Sequence, residues 1–258
     1  MTWALDLDGV VWLGSRPIPG AAEAIARLRA AGETVLFVTN NSFGRRADVV
    51  ERLERQGIDA GDGVLTSAMA AARLVAPGSR ALVCAGPGVV EELTARDVEI
   101  IDASAPSIPS VDVVVVGYHP TFDYQRMTAA FRAVRAGAQL LATNDDATYP
   151  TADGPVPGGG SILASIVRAT AVEPLIAGKP HTTMAELVHA CAPGTGIMVG
   201  DRPDTDGLFA RTLGYRFGLV LSGVTSADDL PVEPDPDLVG ADLAALVDTA
   251  LSGGSAPQ

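Results

Sequence analysis

The chain has 258 residues, enough for one large domain or two small ones with buried cores. Hydrophobic residues make up 47% and charged residues 19%, which excludes a disordered chain. Thirty-one acidic against eighteen basic residues argue against partners such as nucleic acid or an anionic membrane surface. With two cysteines, no signal-peptide pattern at the start and no apolar run of membrane-spanning length, the sequence predicts a cytoplasmic protein.

Strand-like and helix-like segments alternate along almost the whole chain. The strand-like TWALDLD is followed by the helical PGAAEAIARLRAAG, the strand-like TVLFVTN and a helix through ADVVERLERQG. Further along, RALVCAG, VDVVVVG and GIMVGD are strand-like, whereas YQRMTAAFRAVRAG and TTMAELVHAC are helical. Apolar strands separated by helices are typical of parallel sheets covered on both faces. The sequence therefore predicts an α/β fold with a Rossmann-like, three-layer core built on a parallel sheet.

The spacing of polar clusters at strand ends predicts an inserted domain. Asp6 and Thr39 follow two early strands 33 residues apart, and Lys179 and Asp201 lie 22 residues apart, each close to one βαβ step of about 30 residues. The 140 residues from Thr39 to Lys179 need several steps, so most of this interval must leave the sheet and return. We predict a core formed by residues 1–76 and 178–258, with a frayed tail from about 252, and an inserted α/β cap formed by residues 77–177.

Carboxylates follow the first strand and the strand GIMVG. Asp6 and Asp8 straddle Leu7, so the two-residue strand period points both carboxylates the same way. With Asp201, and with Asp204 and Asp206 nearby, they form an oxygen-only set suited to Mg²⁺. Because the cysteines and histidines lie outside these clusters, zinc is disfavoured, and an EF-hand is excluded by the spacing. Helix caps or turn aspartates are the alternative for any single cluster.

The second cluster and the lone lysine both suit an anion. Thr39, Asn40 and Asn41 offer a hydroxyl, amides and backbone N–H groups at a strand end, which can hold a tetrahedral anion or cap the following helix. Lys179 is the one lysine among eighteen basic residues, in a chain that otherwise uses arginine. An ammonium beside this cluster would balance both a phosphate group and an aspartate nucleophile.

The motifs DLDGV, VTNN, GKP and GDRPDTD, in that order, resemble the four motifs of the haloacid dehalogenase-like superfamily. The long gap between the second and third motifs resembles the class IIA branch, which includes NagD, p-nitrophenyl phosphatases, phosphoglycolate phosphatases and pyridoxal phosphatases. The resemblance covers essentially the whole chain. It implies a phosphatase that works through an aspartyl-phosphate.

Position by position, the resemblance implies a role for each motif residue. Asp6 would be the nucleophile, and Asp8 would protonate the leaving alcohol and then activate water. Retention of Asp8 points to phosphate esters, because a halide leaves without a proton. The phosphoryl oxygens would be bound by Thr39, Asn40 and Asn41, with Lys179 stabilising their charge.

The resemblance also implies a metal site and contacts from the cap. Mg²⁺ would be held by Asp6, the backbone carbonyl of Asp8, and Asp201, with Asp206 behind them orienting Lys179 or a metal-bound water. The residues that match cap motifs facing or shaping the crevice in relatives are Asn144, Asp146 and Gly158 to Ser161. His119 stands where relatives commonly carry an acid, and is either a specificity residue or a surface histidine. The motif GDRPDTD departs from the family at Pro203 and Gly207.

We therefore predict a Mg²⁺-dependent phosphatase of small phosphorylated metabolites, with sugar phosphates, glycerol phosphate, phosphoglycolate, nucleotides and pyridoxal phosphate all open as substrates. The resemblance implies a possible homodimer formed through the cap, because relatives often dimerise in this way. The residues themselves leave the oligomeric state open. One alternative is a catalytically silent metabolite-binding or regulatory protein on the same fold. Another is a dinucleotide-binding protein, because Gly86-Pro87-Gly88 lies between a strand and a helix, but Glu91 replaces the third glycine of that fingerprint.

Overall fold

The computed structural model describes residues 1–151 and 154–253. The strands are β1 (Thr2–Leu5), β2 (Trp12–Leu13), β3 (Arg16–Pro17), β4 (Thr34–Thr39), β5 (Val64–Thr66), β6 (Arg80–Cys84), β7 (Glu99–Asp102), β8 (Val113–Val116), β9 (Gln139–Ala142), β10 (Thr148–Thr151), β11 (Gly154–Pro157), β12 (Leu175–Ile176), β13 (Gly196–Gly200), β14 (Arg216–Val220) and β15 (Leu238–Gly240). The helices are α1 (Ala21–Ala30), α2 (Arg46–Glu54), α3 (Ser67–Arg73), α4 (Pro87–Thr94), α5 (Tyr124–Arg135), α6 (Gly159–Thr170), α7 (Thr182–Cys191), α8 (Leu208–Leu213) and α9 (Leu243–Gly253), with a π-helical turn at Pro203–Gly207 and a 3₁₀ turn at Ala227–Asp229.

The chain divides into two compact units. The first contains Met1–Thr39, Val49–Leu65 and the chain from Lys179 onwards. The second contains Asn40–Asp48 and Thr66–Gly178. The assignment of a cap to residues 77–177 stays a prediction.

The first unit is built on a six-stranded sheet in the order β15-β14-β13-β1-β4-β5. Strand β1 pairs in parallel with β13 on one side and with β4 on the other, so that Leu5 lies opposite both Val199 and Phe37. Strand β13 is adjacent to β1 in the sheet although the two strands are far apart in the sequence. Because the strands are parallel, the carboxyl ends of β13, β1 and β4 meet at one edge of the sheet.

Both faces of this sheet are buried. On one face Trp3, Leu5 and Phe37 belong to a core that also includes residues of α1 and α9. The alternate residues, such as Ala4 and Met198, are buried on the opposite face, where α8 contacts β13 and β14. Because both faces of the sheet are covered, residues that point to either face are apolar along most of each strand, with no polar alternation.

The second unit contains its own parallel sheet, in the order β12-β9-β8-β6-β7. Helices α5 and α6 pack on it around the buried Leu82, Val114, Leu140, Leu163 and Ile166. Strands β10 and β11 form a separate antiparallel pair. The prediction of an α/β fold with parallel sheets is confirmed.

Two features of the helices bear on the sequence predictions. Ser252 and Gly253, where the sequence predicts fraying to begin, are part of α9, and the rest of that tail lies outside the described residues. None of the helices between residues 1 and 253 that the structure describes combines the length and apolar character needed to cross a membrane.

Helix α1 shows how the sequence pattern becomes packing. Its buried residues Ala21, Ala24, Ile25 and Leu28 recur at helical spacing and face the core. The helix ends at Ala30, and Gly32 then adopts a φ of 78°, a left-handed conformation that favours glycine.

We expect Leu28→Ala to destabilise the first unit by about 2–5 kcal/mol, because it leaves a cavity in the core. The matched control is Leu208→Ala, at a leucine that is 46% exposed, for which we expect a loss below about 1 kcal/mol. Denaturant unfolding followed by tryptophan fluorescence measures both, since Trp3 and Trp12 are the chain's two tryptophans and both lie in the first unit. Equal losses in the two variants would contradict this placement of the core.

Candidate active site

The edge of the sheet where β13, β1 and β4 end carries the predicted site residues of the first unit. Asp6 directly follows β1, and its backbone N–H continues the ladder by donating to the Val199 carbonyl at 2.8 Å. Asp201 directly follows β13, and Thr39 is the buried last residue of β4. The ladder therefore fixes the backbone from which these side chains project.

Three buried carboxylates and one buried ammonium meet here. Carboxylate oxygens of Asp6, Asp201 and Asp206 all lie within 4.8 Å of one another. The Nζ of Lys179, a residue only 2% exposed, donates to Asp6 Oδ1 at 2.8 Å and to Asp206 Oδ1 at 2.6 Å. The structure thus brings together four of the residues that the sequence predicts, from three distant segments.

The cluster carries more negative than positive charge. Burial, reinforced by the neighbouring Asp206 and Asp6, raises the pKa of the Asp201 carboxyl. Burial also raises the pKa values of Asp6 and Asp206, although Lys179 opposes this. For Lys179 burial works in the other direction, but the two carboxylates outweigh it and raise its pKa, so the ammonium stays charged. One ammonium cannot neutralise three carboxylates, and the remaining charge calls for protons or a cation.

The π-helical turn at Pro203–Gly207 places Asp206. The Asp206 N–H donates to the Arg202 carbonyl at 2.7 Å, and the Arg202 N–H donates to Asp206 Oδ2 at 3.2 Å. The departure from the family at Gly207 has a local reason, because a Cβ there would lie 2.8 Å from Pro234 Cγ. Both departures belong to this turn, and Asp206 still reaches Lys179.

Glycines on two sides let the chain approach Asp201. A Cβ on Gly9 would lie 2.4 Å from Asp201 Oδ2, and a Cβ on Gly223 would lie 1.9 Å from the same oxygen. The next residue, Val224, donates its N–H to this oxygen at 2.6 Å. Neither glycine is among the predicted site residues. Gly9 directly follows the DLD pair, whereas nothing near Gly223 in the sequence indicates that it packs on Asp201.

Asp8 has a hydrogen-bond partner of its own. Trp12 Nε1 donates to Asp8 Oδ1 at 3.0 Å, and the Arg52 guanidinium lies 3.8 Å from the centre of the Trp12 ring. Burial raises the pKa of Asp8, while Arg52 and the Trp12 hydrogen bond act against the shift. Neither Trp12 nor Arg52 is among the predicted site residues.

The remaining predicted phosphate-binding residues belong to the second unit. Asn40 donates from Nδ2 to Asp146 Oδ2 at 3.0 Å, and its carbonyl accepts from Asn144 Nδ2 at 2.8 Å and from Ser67 Oγ at 2.6 Å. Asn41 donates from Nδ2 to the Tyr149 hydroxyl at 3.0 Å. Asn40, Asn144 and Asp146 are therefore one hydrogen-bonded group, in which Asn144 is almost fully buried. Ser67 is a further member that the sequence analysis misses.

His119 has different partners from Asn144 and Asp146. Its Nδ1 lies 3.4 Å from the Thr121 hydroxyl, and burial together with Arg126 lowers its pKa, so the ring is neutral at pH 7. The adjacent Tyr118 stacks on Tyr149, with ring centres 4.1 Å apart.

The glycines of the dinucleotide alternative pack against protein. A Cβ on Gly88 would lie 2.1 Å from the Gly44 carbonyl oxygen, and the Gly88 N–H donates to the Phe43 carbonyl at 3.0 Å. A Cβ on Gly86 would lie 2.5 Å from the Phe43 ring. These glycines allow close packing against Phe43 and Gly44 within the second unit. This packing gives no support to a pyrophosphate-binding turn.

Comparison with known proteins identifies relatives along nearly the whole chain. A family model for haloacid dehalogenase-like hydrolases matches residues 3–99, and a HAD-hydrolase-like model matches residues 176–246. Mouse (Mus musculus) chronophin is 35% identical over 240 residues, which cover 87% of this chain and 82% of chronophin.

Solved structures agree with these matches. The p-nitrophenyl phosphatase from Archaeoglobus fulgidus superposes with a TM-score of 0.88 at 31% identity, covering 96% of this chain and 98% of that one. The glycerol phosphate phosphatase from Mycobacterium tuberculosis in complex with magnesium superposes with a TM-score of 0.84 at 35% identity, covering 95% and 75%.

The excess negative charge predicts an unusual dependence of stability on pH. A carboxyl whose pKa is raised binds more protons in the folded than in the unfolded state, so stability falls as pH rises from its ordinary pKa to the raised value. Without metal, we expect the Tm to fall between about pH 5 and pH 8, and Mg²⁺ to restore more stability at higher pH. Thermal unfolding in EDTA and in Mg²⁺ measures both effects.

Asp201→Asn is the matched variant for this measurement. Removing one carboxylate should flatten the pH dependence of the metal-free protein and make it more stable than the wild type at high pH. Identical pH profiles of wild type and variant would show that the cluster is not the source of the effect.

Proposed function

This chain belongs to the haloacid dehalogenase-like hydrolase family, and we propose that Asp6 is its nucleophile in the Mg²⁺-dependent hydrolysis of small phosphate monoesters. It is a phosphoric monoester hydrolase. The observation that carries the mechanism is the group formed by Asp6, Lys179 and Asp206, with Asp201 in reach. The Lys179 ammonium orients the Asp6 carboxylate and favours its charged form, which is the form that a nucleophile needs.

The donor set fits Mg²⁺. The cluster is made of carboxylate oxygens alone, with no sulfur or imidazole ligand among the three residues, and it needs more positive charge than Lys179 supplies. We assign Asp6, Asp201 and the backbone carbonyl of Asp8 as ligands, with Asp206 held behind them by Lys179. When bound, Mg²⁺ neutralises charge on the cluster and on the phosphoryl group, so that two anionic partners can approach.

Asp6 acts as the nucleophile, and Asp8 acts as the general acid and then as the general base. Lys179 binds Asp6 Oδ1, so Oδ2 is the oxygen that attacks phosphorus, forming an aspartyl-phosphate while the bond from phosphorus to the alcohol oxygen breaks. Asp8 gives its proton to that leaving oxygen. It then takes a proton from the water that attacks the phosphorus, which releases phosphate and restores Asp6.

Polar groups beyond the nucleophile would bind the phosphoryl oxygens. We assign this role to the Thr39 hydroxyl, the backbone N–H of Asn40, Asn41 and the Lys179 ammonium. The hydrogen bonds from Ser67 and Asn144 to the Asn40 carbonyl hold the peptide between Asn40 and Asn41 in one orientation, which supports the part of the assignment that concerns Asn41. Positioned donors of this kind lower the barrier by stabilising charge that develops during transfer.

The second unit would supply selectivity as a cap. Asp146 and Asn144 are tied to Asn40, and His119 is a neutral side chain near the stacked Tyr118 and Tyr149. Among the candidate substrates we place glycerol phosphate first, because the relative with magnesium is named as a glycerol phosphate phosphatase. A homodimer through this unit remains part of the proposal.

The test is phosphate release from a panel of phosphorylated metabolites, with and without Mg²⁺. We expect metal-dependent turnover that Asp6→Asn reduces by at least about 10³-fold, because the amide cannot form the covalent intermediate. The matched control is Asp204→Asn, which changes an exposed carboxylate in the turn that carries Asp206 and should leave turnover within about twofold of the wild type.

Two results would contradict the proposal. Activity that survives Asp6→Asn would show that another group is the nucleophile. A folded protein that binds Mg²⁺ but turns over nothing in a broad panel would favour the silent binding protein.

A further inference from the structure

Trp12 is bonded to the carboxylate of Asp8 and covered by a guanidinium. Its Nε1 lies 3.0 Å from Asp8 Oδ1, the residue is 3% exposed, and the Arg52 guanidinium lies 3.8 Å from the ring centre. Arg52 also donates to the Gly14 carbonyl, just beyond the tryptophan. The indole is therefore held on one face by Arg52 while its N–H points at Asp8.

The backbone between Asp8 and Trp12 is equally constrained. The N–H groups of Val11 and Trp12 donate to the Leu7 carbonyl at 2.9 and 3.1 Å, and the Gly9 N–H donates to the Trp12 carbonyl at 2.6 Å. Trp12 then pairs with Pro17 in the short hairpin formed by β2 and β3. A turn closed on itself in this way fixes the distance from the indole to the carboxylate.

We propose that Trp12 is a positioning residue for Asp8, held in place by Arg52, and this inference rests on the function proposed above. An indole N–H is a donor with no acceptor and no titration of its own near neutral pH. It can fix Oδ1 of Asp8 without competing for the proton that Asp8 must give and take. Oδ2 is then the oxygen that faces the leaving group and the attacking water.

Packing alone does not account for this arrangement. Trp3 is buried in the same core, yet its Nε1 has no hydrogen-bond partner within the described part of the chain. The chain thus contains one tryptophan whose N–H is bonded to a proposed acid–base residue and one whose N–H is not. Phenylalanine at either position keeps the aromatic ring and removes the N–H, which makes the two substitutions a matched pair.

The experiment compares kcat/KM for glycerol 3-phosphate and for p-nitrophenyl phosphate. This constant reports formation of the aspartyl-phosphate, in which an alkoxide needs a proton from Asp8 and nitrophenolate does not. For Trp12→Phe we expect a loss of about tenfold on glycerol 3-phosphate and less than about twofold on p-nitrophenyl phosphate. Trp3→Phe should leave the ratio between the two substrates unchanged.

A double-mutant cycle shows whether Trp12 acts through Asp8. If it does, adding Trp12→Phe to Asp8→Asn should change kcat/KM for glycerol 3-phosphate by less than about twofold. Equal losses on the two substrates, or a full additional loss in the Asp8→Asn background, would overturn the inference.

If Trp12→Phe fails to fold, Arg52→Met provides the same test. We expect this variant to change the ratio of the two kcat/KM values by about threefold, and an unchanged ratio would overturn the inference.

The inference and the proposed function fail in different ways. If Asp8→Asn shifts the ratio strongly and the Trp12 and Arg52 variants do not, the inference alone is wrong. If Asp8→Asn leaves the ratio unchanged, Asp8 does not protonate the leaving group, and the inference fails together with the role proposed for Asp8.

Discussion

The structure of the site depends on one constraint, which is that three carboxylates share a buried space with a single ammonium. Lys179 donates to Asp6 and Asp206, and a carboxylate oxygen of Asp201 lies within 4.8 Å of both. Isolated buried charges are costly, and such a group persists only if protons or a cation complete it. The same imbalance that raises the carboxyl pKa values therefore makes the cluster a strong ligand set for Mg²⁺.

The backbone, rather than further side chains, brings these charged groups together. Parallel pairing of β1 with β13 brings Asp6 beside Asp201 although they are far apart in sequence. Gly9 and Gly223 let the chain close around the Asp201 carboxylate, and the π-helical turn returns Asp206 to the lysine. The three carboxylates of the cluster thus lower the stability of the metal-free protein and raise its affinity for the metal.

The sequence allows prediction of those parts of the fold and site that follow from local pattern. The apolar strands with helices between them predict parallel sheets, and the two-residue spacing of Asp6 and Asp8 places two carboxylates at one strand end. The lone Lys179 is indicated by composition, because arginine serves elsewhere. The contact of Arg52 with Trp12 and the hydrogen bond of Ser67 to Asn40 could not be predicted, since each joins segments far apart whose own patterns show only a helix face or a turn.

The number of protons released when Mg²⁺ binds measures the charge imbalance of this cluster directly. Titration calorimetry at about pH 6.5, in two buffers of different ionisation enthalpy, measures this number for the wild type and for Asp201→Asn. We predict net proton release by the wild type, decreasing as pH rises, and less release by the variant, because Mg²⁺ replaces protons held by carboxyls of raised pKa. Mg²⁺ binding without proton release, or with equal release by both proteins, would contradict this prediction.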